Sequence, residues 1–220
     1  MVYDFSTTTT GVTTVKTDDD GTARDVTLTD LTTGAAVEIE TGVADSGVII
    51  DLADKTATDN SVDIEISAVA NAAHTIDIDA ADVETVNLDV EAASTVDLAG
   101  LSMTTASVTN TLKVTGDQSV TISALHADTT TVDASGMSTG GAVVQTGRST
   151  TTAVDYTGSS GADTFIMMHT SDVIKAGAGS DTLDINTTAV LGGIVVDLSA
   201  TGDNVLQANG SLNTTEQSGY

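Results

Sequence analysis

Residues 75–98 read TIDIDAADVETVNLDVEAASTVDL and contain one four-residue pattern three times. The pattern is Thr, an aliphatic residue, Asp or Asn, and a second aliphatic residue, and it begins at Thr75, Thr85 and Thr95. Alternation of apolar and polar residues with a period of two is typical of half-buried β-strands. The ten-residue repeat therefore predicts short strands separated by equally short turns.

Looser copies of this pattern continue toward the C-terminus. If two strand-and-turn units form one coil, the chain makes a flattened β-solenoid whose aliphatic face is buried only where coils stack. We therefore predict an all-β fold, a right-handed parallel β-solenoid of the β-roll type, for residues 71–200. An antiparallel β-sandwich is the alternative. The further copies lie at residues 111–114, 120–122, 131–134, 142–144, 154–156 and 194–198.

The two ends of the chain lack this regularity. Residues 1–70 show strand-like alternation without a clear period, which predicts a β-rich N-terminal region. That region is either an irregular start of the solenoid or a separate small β-sandwich. Residues 201–220 are predicted to form a C-terminal tail or cap.

The composition is strongly acidic. Lys and Arg total 6 against 32 Asp and Glu, which gives a formal charge of −26. This balance disfavours nucleic acid and anionic membranes, so we predict neither a nucleic-acid partner nor membrane insertion. Bound cations would relieve the self-repulsion, which is a first indication of a divalent metal. The absence of Cys excludes disulfides, zinc–thiolate sites and thiol catalysis.

Two acidic stretches of the N-terminal half are weaker candidates for cations. Asp77 and Asp97 would stack in neighbouring coils, where like charges repel unless they share a cation. A solvated acidic face is the alternative. Residues 17–21 read TDDDG, but the glycine comes too early for an EF-hand loop, so this stretch predicts a β-turn.

Residues 158–184 read GSSGADTFIMMHTSDVIKAGAGSDTLD, which divides into three nonapeptides. Their eighth position is large and apolar in each. Glycine permits backbone angles closed to other residues, so the first six positions predict a turn and the last three a short strand. Turn carbonyls and a carboxylate together supply the hard oxygens that calcium takes as ligands. The sixth position is an aspartate in all three nonapeptides, namely Asp163, Asp172 and Asp181.

This pattern resembles the G-G-x-G-x-D-x-U-x nonapeptide of repeats-in-toxin (RTX) proteins, which forms a calcium-binding β-roll. The resemblance implies that turns 18 residues apart stack on one side with calcium between them. In the middle turn Met167-Met168-His169 replaces the glycines, so Asp172 is an isolated candidate ligand. A metal-free solenoid with Gly/Asp turns is the alternative. The implied ligands of the main site are the carboxylates of Asp163 and Asp181 and backbone carbonyls near Gly161 and Gly179.

Two flanking stretches, residues 82–116 and 130–147, are similar to the Thr/Val/Asp-rich solenoid segments of bacterial surface-layer proteins that also carry RTX repeats. The resemblance implies an extracellular structural protein that assembles with its own copies into a calcium-dependent array or filament on the cell surface. It also implies type I secretion, with cell-surface polysaccharide as a further candidate partner. The alternative is the non-catalytic β-roll region of a larger secreted RTX adhesin or enzyme.

No catalytic constellation can be assembled from the sequence. His74, His126 and His169 are scattered, and neither an H-E-x-x-H motif nor a Ser/His/Asp set is present. Each histidine is interpreted as a solvated loop residue. We therefore predict that the chain is not an enzyme.

The N-terminal residues lack the basic and apolar regions of a cleavable signal peptide, and no apolar run is long enough to span a membrane.

Overall fold

The computed structural model describes residues 2–4, 14–17, 26–39, 47–54, 56–67, 75–81, 83–98, 101–102, 110–138, 141–147, 152–185, 195–198 and 202–208. All regular structure in these ranges is β-strand. They contain no helix long and apolar enough to cross a membrane. The strands are β1 (Val2–Asp4), β2 (Thr14–Thr17), β3 (Val26–Leu31), β4 (Ala35–Ile39), β5 (Gly47–Leu52), β6 (Ser61–Ile66), β7 (Thr75–Ala81), β8 (Thr85–Val90), β9 (Ser94–Leu98), β10 (Leu101–Ser102), β11 (Thr111–Gly116), β12 (Val120–Leu125), β13 (Thr131–Met137), β14 (Val143–Gln145), β15 (Asp155–Thr157), β16 (Thr164–Met167), β17 (Val173–Lys175), β18 (Thr182–Ile185), β19 (Val195–Asp197) and β20 (Val205–Ala208).

The strands form two parallel sheets. Sheet 1 has the order β1-β3-β5-β7-β9-β12-β14-β16-β18-β20, with β10 also paired to β7, and sheet 2 has the order β2-β4-β6-β8-β11-β13-β15-β17-β19. Every pairing between described strands is parallel. Apart from β10, which follows β9 within sheet 1, consecutive described strands alternate between the sheets, so each coil adds one strand to each. The predicted parallel β-solenoid is confirmed, and the antiparallel sandwich is excluded for these strands.

The register explains the ten-residue repeat of residues 75–98. Thr75 pairs with Thr95, and Asp77 pairs with Asp97, in sheet 1. Thr85 lies in sheet 2, where it pairs with Thr111 of the next coil. Two repeats therefore make one coil, as the sequence predicts.

The core lies between the two sheets and consists of aliphatic side chains in layers. In β8, Val86, Leu88 and Val90 are fully buried, while the residues between them are partly exposed. Burial of one such side chain contributes about 1.5–3 kcal/mol. A single coil cannot bury these side chains alone, so stability depends on the contact between stacked coils.

The N-terminal strands belong to the same architecture. Strands β3 to β6 pair within the two sheets that also contain β7 and the later strands. The described strands before residue 70 therefore form the start of the solenoid. At the other end, β20 in the predicted tail or cap region continues sheet 1 by pairing with β18.

Candidate metal centre

Three turns stack at the corner of the solenoid where the chain enters sheet 1. We call residues 159–163, 177–181 and 202–204 the turn stack; they precede β16, β18 and β20. Thr164 pairs with Thr182, which brings the two preceding aspartates into neighbouring coils. The third turn contains Gly202 and Asn204, and its coil is longer than the 18-residue spacing of the nonapeptides.

A column of glycines runs through the turn stack. A Cβ at Gly161 would overlap the carbonyl oxygen of Gly141, and a Cβ at Gly179 would overlap the carbonyl oxygen of Gly161. A Cβ at Gly202 would likewise overlap the carbonyl oxygen of Gly179. The predicted carbonyl ligands near Gly161 and Gly179 therefore lie at the contact between coils. Gly179 also has a φ of 122°, which favours glycine.

The carboxylate of Asp163 is buried and fully hydrogen-bonded. Its Oδ1 accepts from the backbone N–H of Val143 at 2.7 Å, and its Oδ2 accepts from the N–H of Ser159 at 2.7 Å. The Ser159 hydroxyl lies 3.0 Å from both oxygens. Burial raises the pKa of Asp163, and the hydrogen bonds from Val143 and Ser159 partly offset that effect.

The carboxylate of Asp181 has one unsatisfied oxygen. Oδ1 accepts from the backbone N–H of Asp163 at 3.0 Å, whereas Oδ2 is buried and has no hydrogen-bond partner among the described residues. The residue is 0 % exposed. Burial raises the pKa of Asp181, and the nearby charge of Asp163 raises it further. A buried charged oxygen without a partner costs on the order of 1–3 kcal/mol or more, and a proton or a cation would remove that cost.

Asp172 lies at the opposite corner, before β17 of sheet 2, and is not brought together with the other two aspartates. Its Oδ1 accepts from the N–H of Val154 at 2.9 Å, and its Oδ2 accepts from the N–H groups of Met168 and His169 at 3.2 and 3.1 Å. Oδ2 therefore closes its own turn, whereas Oδ1 binds a backbone donor of the preceding coil. Val154 lies 18 residues before Asp172, which is the spacing at which turns on one side of the solenoid were expected to stack.

The donor set of the turn stack suits a hard cation. Within the described part of the chain, no group of three or more His, Asp or Glu side chains could hold a metal ion. A site here would therefore depend on carbonyl oxygens as well as the Asp181 carboxylate. Calcium accepts such mixed oxygen ligands, whereas zinc and copper favour nitrogen and sulfur.

The described histidines do not contribute to this site. Nδ1 of His126 accepts from the N–H of Asp128 at 3.1 Å, and Nδ1 of His169 accepts from the N–H of Ser171 at 3.1 Å. Both histidines thus close local turns. His74 and the acidic residues 18–20 lie outside the described residues.

Two residues of the turn stack were not predicted from the sequence. Asn204 takes the place of the aspartate in the third turn, because its Oδ1 accepts from the N–H of Asp181 at 2.7 Å. Ser159 lies at the second position of its nonapeptide, where the motif has glycine, and its hydroxyl binds Asp163. The Gly-x-Asn spacing of Gly202 and Asn204 was the available signal for the third turn.

Comparisons with family models, with curated proteins and with solved structures gave no significant match to this chain.

Proposed function

We propose that this chain is an extracellular, calcium-stabilised structural protein that assembles with its own copies into an array or filament at the bacterial surface. The observation that carries the proposal is the buried, unpartnered Oδ2 of Asp181 between two stacked coils. A formal charge of −26 gives the same chain a general need for cations.

The residues that would hold the ion are the Asp181 carboxylate and the carbonyl groups of Gly161 and Gly179. Calcium supplies two positive charges that offset the buried carboxylates of Asp163 and Asp181. Because these groups belong to neighbouring coils, an ion bound by them connects the coils. An ion that binds the folded chain but not the unfolded chain stabilises the fold by mass action. The gain is about 2.7 kcal/mol at a ligand concentration of 100 Kd.

The last described strands support self-assembly. Strands β19 and β20 each have one sheet neighbour among the described strands. Val195 and Val205 on these strands are 55 % and 45 % exposed. An unpaired strand edge with apolar side chains favours pairing with another strand. We therefore take a second copy of the chain as the partner at this end of the solenoid.

The outer surface of sheet 2 is acidic, which supports the proposal that copies of the chain need cations in order to pack closely together. Glu38 pairs with Glu65, and Glu65 pairs with Asp89, so three acidic residues lie in register on neighbouring strands. The charges of Asp89, Asp117 and Glu65 contribute to raising the pKa of Glu91 beside them. Like charges in register destabilise a sheet, and cations in solution screen them.

The resemblance of residues 158–184 to RTX repeats supports export by type I secretion and a place at the cell surface, where cell-surface polysaccharide is a further candidate partner. A structural rather than enzymatic role is part of the proposal. The alternative function, a calcium-binding β-roll region of a larger secreted adhesin or enzyme, shares the metal site but does not require assembly.

The experiment is a calcium titration of the purified chain followed by chelation, with circular dichroism and electron microscopy on the same samples. We expect the β signal or its thermal midpoint to rise with calcium and fall with the chelator, and ordered assemblies to form only with calcium. Calcium-dependent folding without assembly would favour the alternative function. A spectrum and a midpoint that respond to neither addition would contradict both.

A further inference from the structure

Sheet 1 has its shortest pairing where β14 meets β16, and we call this place the β14–β16 junction. The register of these two strands contains one residue pair, Val144 with Thr164. Every other neighbouring pair along the order β1 to β20 contains at least three. On its other side, β14 pairs with β12 along its full length. The ladder is therefore nearly interrupted on one side of β14 only.

The residues after β14 remain bonded to the coil of β12. The N–H of Thr146 donates to the carbonyl of Ile122 at 2.9 Å, and the N–H of Leu125 donates to the carbonyl of Gly147 at 3.1 Å. A Cβ at Gly147 would overlap the Ser123 carbonyl oxygen, so the two coils are in close contact here. Strand β14 and the two residues after it therefore belong to the N-terminal side of the junction.

A side chain takes part in the connection from β14 to β16. Gln145 is 3 % exposed and occupies the inward position at which β12 has Ile122. Its Oε1 accepts from the N–H of Ile166 at 3.3 Å, and its Nε2 donates to the carbonyl of Gly147 at 3.4 Å. Both distances exceed the usual N–H···O separation of about 2.9–3.0 Å. The buried amide is thus a weak link between the two strands.

The turn before β16 also crosses the junction through side chains. Oδ1 of Asp163 accepts from the N–H of Val143 at 2.7 Å, and the Ser159 hydroxyl donates to the carbonyl of Gly141 at 2.9 Å. Together with Gln145, these side chains supply hydrogen bonds where the ladder of sheet 1 is short.

Sheet 2 loses pairing at the same level. Strand β13 pairs with β11 as far as Met137. With β15 its register extends only from Thr131 to Asp133. Both sheets are therefore less connected across this level than on its N-terminal side.

The strands after the junction have a core and a ladder of their own. The rings of Tyr156 and Phe165 pack against each other with centroids 5.3 Å apart, and both residues are buried. Strand β16 pairs with β18 along its full length, which places Phe165 beside Leu183. This part of the chain therefore has the contacts that a separate cooperative unit requires.

We propose that the solenoid consists of two cooperative units that separate at the β14–β16 junction, the first ending at residue 147 and the second beginning at residue 152. The second unit contains Asp181 and the exposed strands β19 and β20. Opening of the junction removes the candidate metal centre and the assembly edge from the solenoid while the first unit stays folded. The junction is a conformational device that does not depend on calcium.

The test is amide hydrogen exchange of the full chain in chelator, read by mass spectrometry. We expect the protection factors of strand amides to fall in one step, at least about tenfold, between residues 147 and 155. Gln145→Met removes the acceptor of the Ile166 N–H but keeps a side chain of similar length. It should speed exchange in residues 155–185 and leave residues 110–138 unchanged. Gln118→Met is the matched control, because Gln118 is exposed, and we expect wild-type exchange.

A gradual fall in protection from coil to coil, or equal protection on both sides of the junction, would overturn the inference. An equal loss of protection in both units of Gln145→Met would do the same, because it would show a single cooperative unit. The wild-type profile carries the test if Gln145→Met does not fold. Because every sample contains chelator, these results leave the proposed calcium site to its own titration.

Discussion

The backbone N–H of Asp163 donates a hydrogen bond to Oδ1 of Asp181, 18 residues later, at 3.0 Å. The same relationship joins the N–H of Val143 to Asp163 and the N–H of Asp181 to Asn204. The side chains of Asp163, Asp181 and Asn204 thus each accept a hydrogen bond from a backbone N–H of the preceding coil. These hydrogen bonds do not require metal, and of the carboxylate oxygens of Asp163 and Asp181 only Oδ2 of Asp181 lacks a hydrogen bond from the described part of the chain.

Asp163→Asn and Asp181→Asn should therefore have different effects. The amide at position 163 must face at least one N–H donor with its own NH₂ group, which should cost about 1–3 kcal/mol with or without calcium. Asp181→Asn removes the buried charge and should leave the calcium-free stability equal or higher, while the calcium-dependent gain disappears. Urea unfolding in calcium and in chelator measures both. A calcium-dependent gain that survives in Asp181→Asn would contradict this assignment.

Gly179→Ala should destabilise the chain by at least about 2 kcal/mol, because it combines a positive φ with overlap of the Gly161 carbonyl. Gly34→Ala is the matched control. Gly34 also has a positive φ, 73°, but a Cβ there meets nothing within 4 Å, so about 1 kcal/mol is expected. Chemical denaturation of the two variants compares them. Equal losses would show that the glycine column is not closely packed.

The calcium-free protein should lose stability as pH rises above the ordinary carboxyl pKa of 3.8, through the raised pKa values of Asp163 and Asp181. The sign follows because the folded state binds more protons than the unfolded state in that window. In Asp181→Asn the slope should be smaller. Thermal midpoints measured across acid pH in chelator test this, and an unchanged slope in the variant would count against a raised pKa at Asp181.

Val205→Lys should reduce assembly, since it places a charge on the exposed edge strand β20. Ala53→Lys adds the same charge at an exposed position in the bend after β5 and should assemble like the wild type. Sedimentation and electron microscopy in calcium distinguish them, with circular dichroism to show that both are folded. Normal assembly of Val205→Lys would exclude this edge as the contact.

The solenoid was predictable where the coils have regular lengths. The ten-residue repeat places Thr75 beside Thr95, and the nonapeptides place Thr164 beside Thr182. For the first coils the sequence left an irregular start of the solenoid and a small β-sandwich as alternatives, because the lengths of these coils vary. Val48 pairs with Val26, 22 residues earlier, and with Ile78, 30 residues later.

The candidate site was predictable in part for the same reason. The spacing of 18 residues indicated that Asp163 and Asp181 lie in neighbouring coils, and the structure places them so. The roles of Ser159 and Asn204 depend on contacts between coils that a linear motif does not contain. The sequence shows only that a serine stands in a glycine position of the nonapeptide, whereas the structure shows its hydroxyl between Asp163 and the Gly141 carbonyl.

The most direct test of the calcium proposal is calorimetric titration of the wild type and Asp181→Asn with calcium under identical conditions. We predict a binding isotherm for the wild type and the loss of one ion per chain in the variant. Identical isotherms for the two proteins would contradict it.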